Sequence, residues 1–208
     1  MRIKYGNFAQ NHYKIMRIKS ILLSLALAVV SCGTPERMNM EEPVDHVNPL
    51  MGTASSYELS TGNTYPAIAL PWGMNFWTPQ TGTNGDGWTY TYSSTKIRGL
   101  KQTHQPSPWI NDYGSFSIMP VTTGPVYDEE GRQSWFSHKA ETAKPYYYQV
   151  YLAEHDVVAE LTPTERAAAF RLTYPEKKMS YLVVDAYNGG HAEVLPDRNM
   201  IVGYSTAN

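Results

Sequence analysis

Beyond residue 43 no stretch of the chain repeats its apolar positions at a helical period. Apolar and polar residues alternate in twos, or gather into β-branched and aromatic runs. This pattern predicts strands over 146–152, 157–162, 168–174, 181–186 and 200–204, with turn material such as Glu154-His155-Asp156 and Pro175-Glu176-Lys177-Lys178 between them. Short strands recurring about every ten residues are the signature of an antiparallel β-sandwich or barrel. In Tyr181-Leu182-Val183-Val184-Asp185 the apolar run is nearly continuous, which predicts a central strand. Residues 48–120 differ. They are crowded with Gly, Pro, Thr, Ser and Trp, so their strands must be short and joined by long ordered loops, where binding usually sits.

Ahead of this region the pattern changes. Met16-Arg17-Ile18-Lys19 is basic, 21–30 is apolar except for Ser24, and the run ends Val29-Val30-Ser31-Cys32-Gly33. Basic, then apolar, then small is the order of a bacterial export signal, and the run is about half the ~20 residues a membrane-spanning helix needs. The lone cysteine stands just after the cleavage position, as in a lipobox, so Cys32 is the expected lipid attachment site. Secretion without a lipid and a buried structural cysteine are the alternatives. The expected organisation is a signal peptide over 1–31, with Met1 or Met16 as the start, a lipidated polar tether over 32–44, and an incomplete sandwich domain over 45–208. The expected location is a membrane-anchored lipoprotein of the outer membrane, the cell surface or the periplasm.

Composition narrows the class. The 208 residues suit one domain of ordinary size, and 42% hydrophobic residues build a core, which excludes wholesale disorder. One cysteine excludes an intrachain disulfide framework and a cysteine-built zinc site. Removing 1–31 takes away five bases (Arg2, Lys4, Lys14, Arg17, Lys19) and no acid, leaving 12 basic and 19 acidic residues, net −7. A chain of that balance gives no electrostatic reason to expect nucleic acid and suits a neutral ligand such as a glycan.

Three segments carry candidate chemistry. Gly62-Asn63-Thr64-Tyr65-Pro66 is a tight polar turn before a restricted X-Pro pair, and a simple connector explains it as well as a site does. Gly85-Asp86-Gly87-Trp88-Thr89-Tyr90-Thr91-Tyr92 sets Trp88, Tyr90 and Tyr92 on one face of an extended segment, either as core or as a platform on which a pyranose stacks. Thr103-His104-Gln105-Pro106-Ser107-Pro108-Trp109-Ile110-Asn111-Asp112-Tyr113-Gly114 cannot be regular helix or strand, yet is furnished with residues that stack and hydrogen-bond. His104 is there a structural histidine or a ligand contact.

These segments resemble a known family. Val47-Asn48-Pro49-Leu50-Met51-Gly52-Thr53, the 62–66 turn, Leu70-Pro71-Trp72-Gly73-Met74, Gly87-Trp88 and the 104–114 loop occur in order and at matching spacing. So do Phe136-Ser137-His138-Lys139, Ala143-Lys144-Pro145-Tyr146-Tyr147 and Ala159-Glu160-Leu161-Thr162-Pro163-Thr164-Glu165-Arg166. Together they look like the amino-terminal domain of glycoside hydrolase family 92, calcium-dependent, exo-acting α-mannosidases of glycan-degrading gut bacteria.

The resemblance implies a β-sandwich packed on an (α/α)6 barrel, with the active site between them and inversion at the anomeric centre. Inversion needs a general acid and a general base far enough apart to admit water. In the family both carboxylates and most calcium ligands come from the barrel, which this chain lacks. The amino-terminal domain supplies part of the wall that holds the terminal mannose of a mannose-containing glycan. By position, Asn63, Trp88, His104, Trp109 and Asp112 would line that wall. No catalytic or metal-binding residue is expected in this chain, and Asp86, within Gly-Asp-Gly, reads as a turn residue. A surface lipoprotein that holds mannosides without cleaving them, and an inert gene remnant, are the other readings.

Overall fold

The computed structural model describes residues 42–54, 64–83, 89–103, 114–186 and 189–206. Cys32, the signal and the tether as far as residue 41 lie outside them. The described residues form β1 (Phe76–Gln80), β2 (Lys96–Ile97), β3 (Gly99–Thr103), β4 (Gly114–Val121), β5 (Ser134–Trp135), β6 (Glu141–Lys144), β7 (Tyr147–Leu152), β8 (Val157–Pro163), β9 (Ala168–Thr173), β10 (Tyr181–Asp185), β11 (His191–Leu195) and β12 (Met200–Tyr204). One single-turn helix, α1 (Glu129–Arg132), and three short 3-10 turns accompany them. The strands make two four-stranded sheets, ordered β1-β3-β4-β10 and β6-β7-β8-β9, and two two-stranded sheets, β2/β5 and the hairpin β11/β12. Every pairing is antiparallel.

The second sheet, β6 to β9, is a meander whose alternation is plain in the sequence. Tyr148, Val150 and Leu152 of β7, with Val157, Ala159 and Leu161 of β8, turn one face inward and are fully buried. Asp156 closes the β7–β8 turn at φ +56°, a left-handed conformation that Asp tolerates better than most residues.

The first sheet shares the same core. Trp77 meets Phe116 edge-on at 5.6 Å and Phe170 of β9 at 4.8 Å, so one indole joins the two sheets. Its Nε1 donates to Asn75 Oδ1 at 2.7 Å, which satisfies the ring's only polar atom. The result is an antiparallel β-sandwich.

One expectation is corrected. Tyr181–Asp185 is an edge strand: β10 pairs with β4 and has no second neighbour among the described residues. Its apolar run reflects partial cover on both faces, not pairing on both sides. Val184 lines a groove with Trp77 and Phe170, while Asp185, on the opposite face, meets Arg132.

Candidate functional site

The best-organised polar cluster among the described residues centres on Glu141. Its side chain, at the start of β6, points into the core face and is fully buried. The carboxylate accepts from Tyr148 Oη at 2.7 Å and from Tyr90 Oη at 3.4 Å, and it meets His138 Nδ1 at 2.6 Å. Burial, reinforced by the Glu141 charge, pushes both tyrosine hydroxyls above their ordinary range, so both remain donors.

His138 is held on every side. Ser137 caps the short 3-10 turn that carries it, its side chain accepting from the Lys139 amide. The imidazole stacks on Tyr92 with centroids 3.9 Å apart and planes 2° from parallel, and Phe136 abuts it edge-on at 5.2 Å. Nε2 lies 2.7 Å from the Tyr92 carbonyl oxygen. A carbonyl oxygen only accepts, so Nε2 carries a proton; one further proton then lies between Nδ1 and the Glu141 carboxylate, whichever of them holds it. Of the aromatic stripe, Tyr90 is core and Tyr92 is 40% exposed. With the Glu141 carboxylate, both His138 nitrogens and the Tyr90 and Tyr148 hydroxyls engaged, this cluster can orient a ring and a backbone segment.

Asn63, Trp88, His104, Trp109 and Asp112 lie outside the described residues, as does Asp86. Their flanks are described, and they fall into two groups. Thr64, next to Asn63, donates through Oγ1 to Met51 O at 2.9 Å, and Thr53 O accepts from the Tyr92 amide at 2.9 Å. Thr89, next to Trp88, accepts from the Thr81 amide at 2.8 Å, while the Thr91 amide donates to Thr81 Oγ1 at 2.9 Å. The flanks of Asn63 and Trp88 therefore meet beside Tyr92 and His138, beyond the Gln80 end of β1. The loop holding His104, Trp109 and Asp112 leaves from Thr103, which pairs with Phe76 at the opposite end of β1. Four steps of about 3.3 Å separate those ends by roughly 13 Å. Sequence reasoning missed the Glu141–His138 pair. Its one local signal is the spacing of three residues, and its tyrosine partners at 90 and 92 are far upstream.

A second charged group lies on the face of the first sheet opposite Trp77. Arg132 is fully buried, and its Nη2 meets Asp185 Oδ2 at 2.7 Å. Nε donates to Arg98 O at 2.9 Å and Nη1 to Tyr127 O at 3.3 Å. Calcium takes about six to eight oxygens. Among the described residues no three His, Cys, Asp or Glu side chains converge as a metal-holding group. Glu141, Asp185 and Glu160 are each already engaged, the last by Arg171 and Tyr147. The described residues do not fit a calcium site.

The architecture is that of an antiparallel β-sandwich domain, and residues 46–208 match the model of the glycosyl hydrolase family 92 N-terminal domain. The chain belongs to glycoside hydrolase family 92. It is similar to the solved family GH92 inverting mannosidase BT2199 of Bacteroides thetaiotaomicron VPI-5482, with 52% identity and a TM-score of 0.74 over 78% of this chain and 22% of that one. It is also similar to the family GH92 α-mannosidase BT3965 of Bacteroides thetaiotaomicron in complex with mannoimidazole, with 33% identity and a TM-score of 0.60 over 69% and 19%. The chain thus spans about a fifth of the length of these mannosidases. No curated protein matches it.

Proposed function

We propose that this chain is the amino-terminal, pocket-wall part of a longer, calcium-dependent, inverting exo-α-mannosidase acting on mannose-containing glycans. The observation that carries the reading is 52% identity to an inverting mannosidase of which the chain spans 22%. The general acid, the general base and the calcium ligands would come from an (α/α)6 barrel outside this chain. Asn63, Trp88, His104, Trp109 and Asp112 would form the wall, with the Glu141–His138 pair fixing the segment that leads from Trp88 to Tyr92. A groove of about 660 Å³ lined by Trp77, Phe116, Phe170 and Val184 opens beside the edge strands β9 and β10, and further strands of the sandwich would close it. Lipid on Cys32 would hold the protein at a membrane.

The test is an assay of α-mannoside hydrolysis. This chain should show none, with or without calcium, since acid and base groups each contribute about 10²–10⁴ in rate. The gene extended through an intact barrel should hydrolyse α-mannosides with inversion, visible by proton NMR, and should lose activity to a chelator. In that protein Trp88→Ala should weaken turnover. Wild-type turnover by Trp88→Ala returns Trp88 to the core, and retention of configuration defeats the assignment as a whole.

A further inference from the structure

His138 and His155 each have both ring nitrogens engaged, and their partners differ in kind. His155 Nε2 donates to Arg132 O at 2.9 Å, while its Nδ1 accepts from the Thr122 amide at 3.4 Å. One acceptor and one donor suit a neutral imidazole, so a single proton satisfies that ring. His138 meets two acceptors, the Tyr92 carbonyl at 2.7 Å and the Glu141 carboxylate at 2.6 Å. A neutral ring has one N–H for the two. The contact therefore needs one more proton, on the ring or on the carboxyl.

The groups packed around the pair leave that proton to it. Tyr148 of β7 and Tyr90 donate to the carboxylate, and burial pushes both hydroxyls up, so they keep their own protons. Tyr92 lies stacked on the ring, and Tyr147 of β7 turns away to Glu160. Of the nearby bases, Lys139 on the same turn is exposed and Lys144 of β6 donates to Asp45 O. Lys96 of β2 lies over the Trp135 ring.

The two acceptors are unequal. Glu141 is a buried carboxylate, and a charge-assisted bond is about twice as strong as a neutral one. Once the pair loses its proton, the remaining N–H stays on Nδ1, and a ring lone pair faces the Tyr92 carbonyl oxygen. Tyr92 is a joint. Its carbonyl accepts from His138, its ring stacks on the imidazole, and its amide donates to Thr53 O at 2.9 Å. Beside Thr53, Gly52 O accepts from the Thr64 amide at 3.4 Å and Met51 O from the Thr64 hydroxyl at 2.9 Å. Thr64 flanks Asn63, and 89–92 leads from Trp88, so both flanks depend on the hold of His138 on one residue.

We infer that the proton shared by His138 and Glu141 is a pH-operated clasp. While the pair holds it, Tyr92 ties the flanks of Asn63 and Trp88 together; its loss as pH rises frees the Tyr92 carbonyl and loosens both. His138 and Glu141 are thus positioning residues. What the clasp contributes is present on the acid side of the pair's titration and lost on the alkaline side. The sense is opposite at His155, whose Nδ1 must stay bare to accept. The inference uses the described contacts alone, so it stands apart from whether Asn63 and Trp88 line a pocket.

The test follows the full chain by NMR from about pH 5 to 10, with no sugar present, so failure of the pocket-wall reading leaves its outcomes legible. Nitrogen shifts of the His138 ring, assigned with His138→Ala, give the pH at which the pair loses its proton. Amide protection factors, which remove the intrinsic pH dependence of exchange, report the joint. Across that pH the Tyr92 amide should lose about tenfold in protection and the Thr64 amide about threefold, while β7 and β8 hold. His138→Ala should stay at the alkaline level throughout. In Glu141→Gln the side-chain amide can donate to Nδ1 of a neutral ring and leave its oxygen to Tyr148, so the alkaline fall should vanish. Tyr92 protection that ignores the His138 titration overturns the proposal, as does an alkaline fall of the same size in Glu141→Gln. A ring that keeps both protons until the chain unfolds overturns it too.

Discussion

The two sheets of the sandwich are held by different forces. The second, β6 to β9, turns an apolar face to the core and keeps its main ion pair outside: Glu160 faces Arg171 across β8 and β9, with Arg171 76% exposed. The first sheet has Trp77, Leu100 and Ile118 on one face, while its other face carries Thr78, Lys101, Ser117 and Asp185 in one register row beside the buried Met119 and Val121. Of these, Thr78, Lys101 and Ser117 are buried. Arg132, arriving from outside the sheet, engages that face through Asp185. A meander can rely on packing between neighbours in sequence. A sheet gathered from distant strands, with the long loops hung on it, depends on a buried guanidinium that ties Asp185 of β10 to the carbonyls of Arg98 and Tyr127.

This contrast can be broken by substitution. Arg132→Met should cost about 3–5 kcal/mol, because the buried guanidinium's bonds to Arg98 O, Tyr127 O and the Asp185 carboxylate go together. Amide exchange should accelerate in β4 and β10 and hold in β7 and β8. Equal loss of protection in all four strands would show one cooperative unit and dissolve the distinction. Leu161→Ala should cost about 3 kcal/mol through the cavity it leaves, with exchange rising first in β7 to β9. A pattern matching that of Arg132→Met would again defeat the contrast.

A smaller effect is expected at the junction of the sheets. His138→Ala should cost about 1–2 kcal/mol, because two hydrogen bonds go while Tyr148 and Tyr90 still serve Glu141. Its mark should be local: faster exchange of the Tyr92 amide, which donates to Thr53 O. Unchanged exchange there would mean that the ring does not fix this segment.

The smallest effect concerns pH. Hydrogen bonds from Arg171 and then from Tyr147 lower the Glu160 carboxyl from its ordinary range to about 2. A carboxyl lowered on folding contributes stability that is present above its unfolded pKa, near 4.3, and lost as pH falls toward 2. Glu160→Gln should therefore lower stability at neutral pH, modestly because Arg171 is exposed and its pairing screened, leave stability near pH 2 unchanged, and so flatten the decline between those limits. An unchanged acid limb in urea titrations would show that the pair is idle.

How far the sequence discloses this fold depends on which faces are covered. The strands over 147–152, 157–163 and 168–173 lie within a residue of where period-two alternation sets them, because one face is buried and the other wet. β1 hides its period: in Phe76-Trp77-Thr78-Pro79-Gln80 the last four residues are buried on both faces, polar ones included, so no alternation survives. In Tyr181–Asp185 the apolar run has a different origin: Val183 and Val184 face opposite ways and are each only half-buried, while Leu182 is exposed. At the site, the blocks that show the family also brought His138 to notice. What it does depends on Glu141, Tyr148, Tyr90 and Tyr92, a set assembled by strand pairing and loop packing that no local spacing announces.

The edge position of β10 also sets an order of assembly. The β7–β8 hairpin closes between Leu152 and Val157, five residues apart, whereas the closing pair of the first sheet joins Val121 to Tyr181, sixty residues along the chain. The entropy of closure grows with the length enclosed, and on the ribosome the amino-terminal partner must wait for the later one to emerge. The meander can therefore form while β4 still lacks its outer neighbour, and Arg132 has no Asp185 to meet until β10 arrives. A substitution in β10 would thus act late, on a molecule whose other sheet is already built.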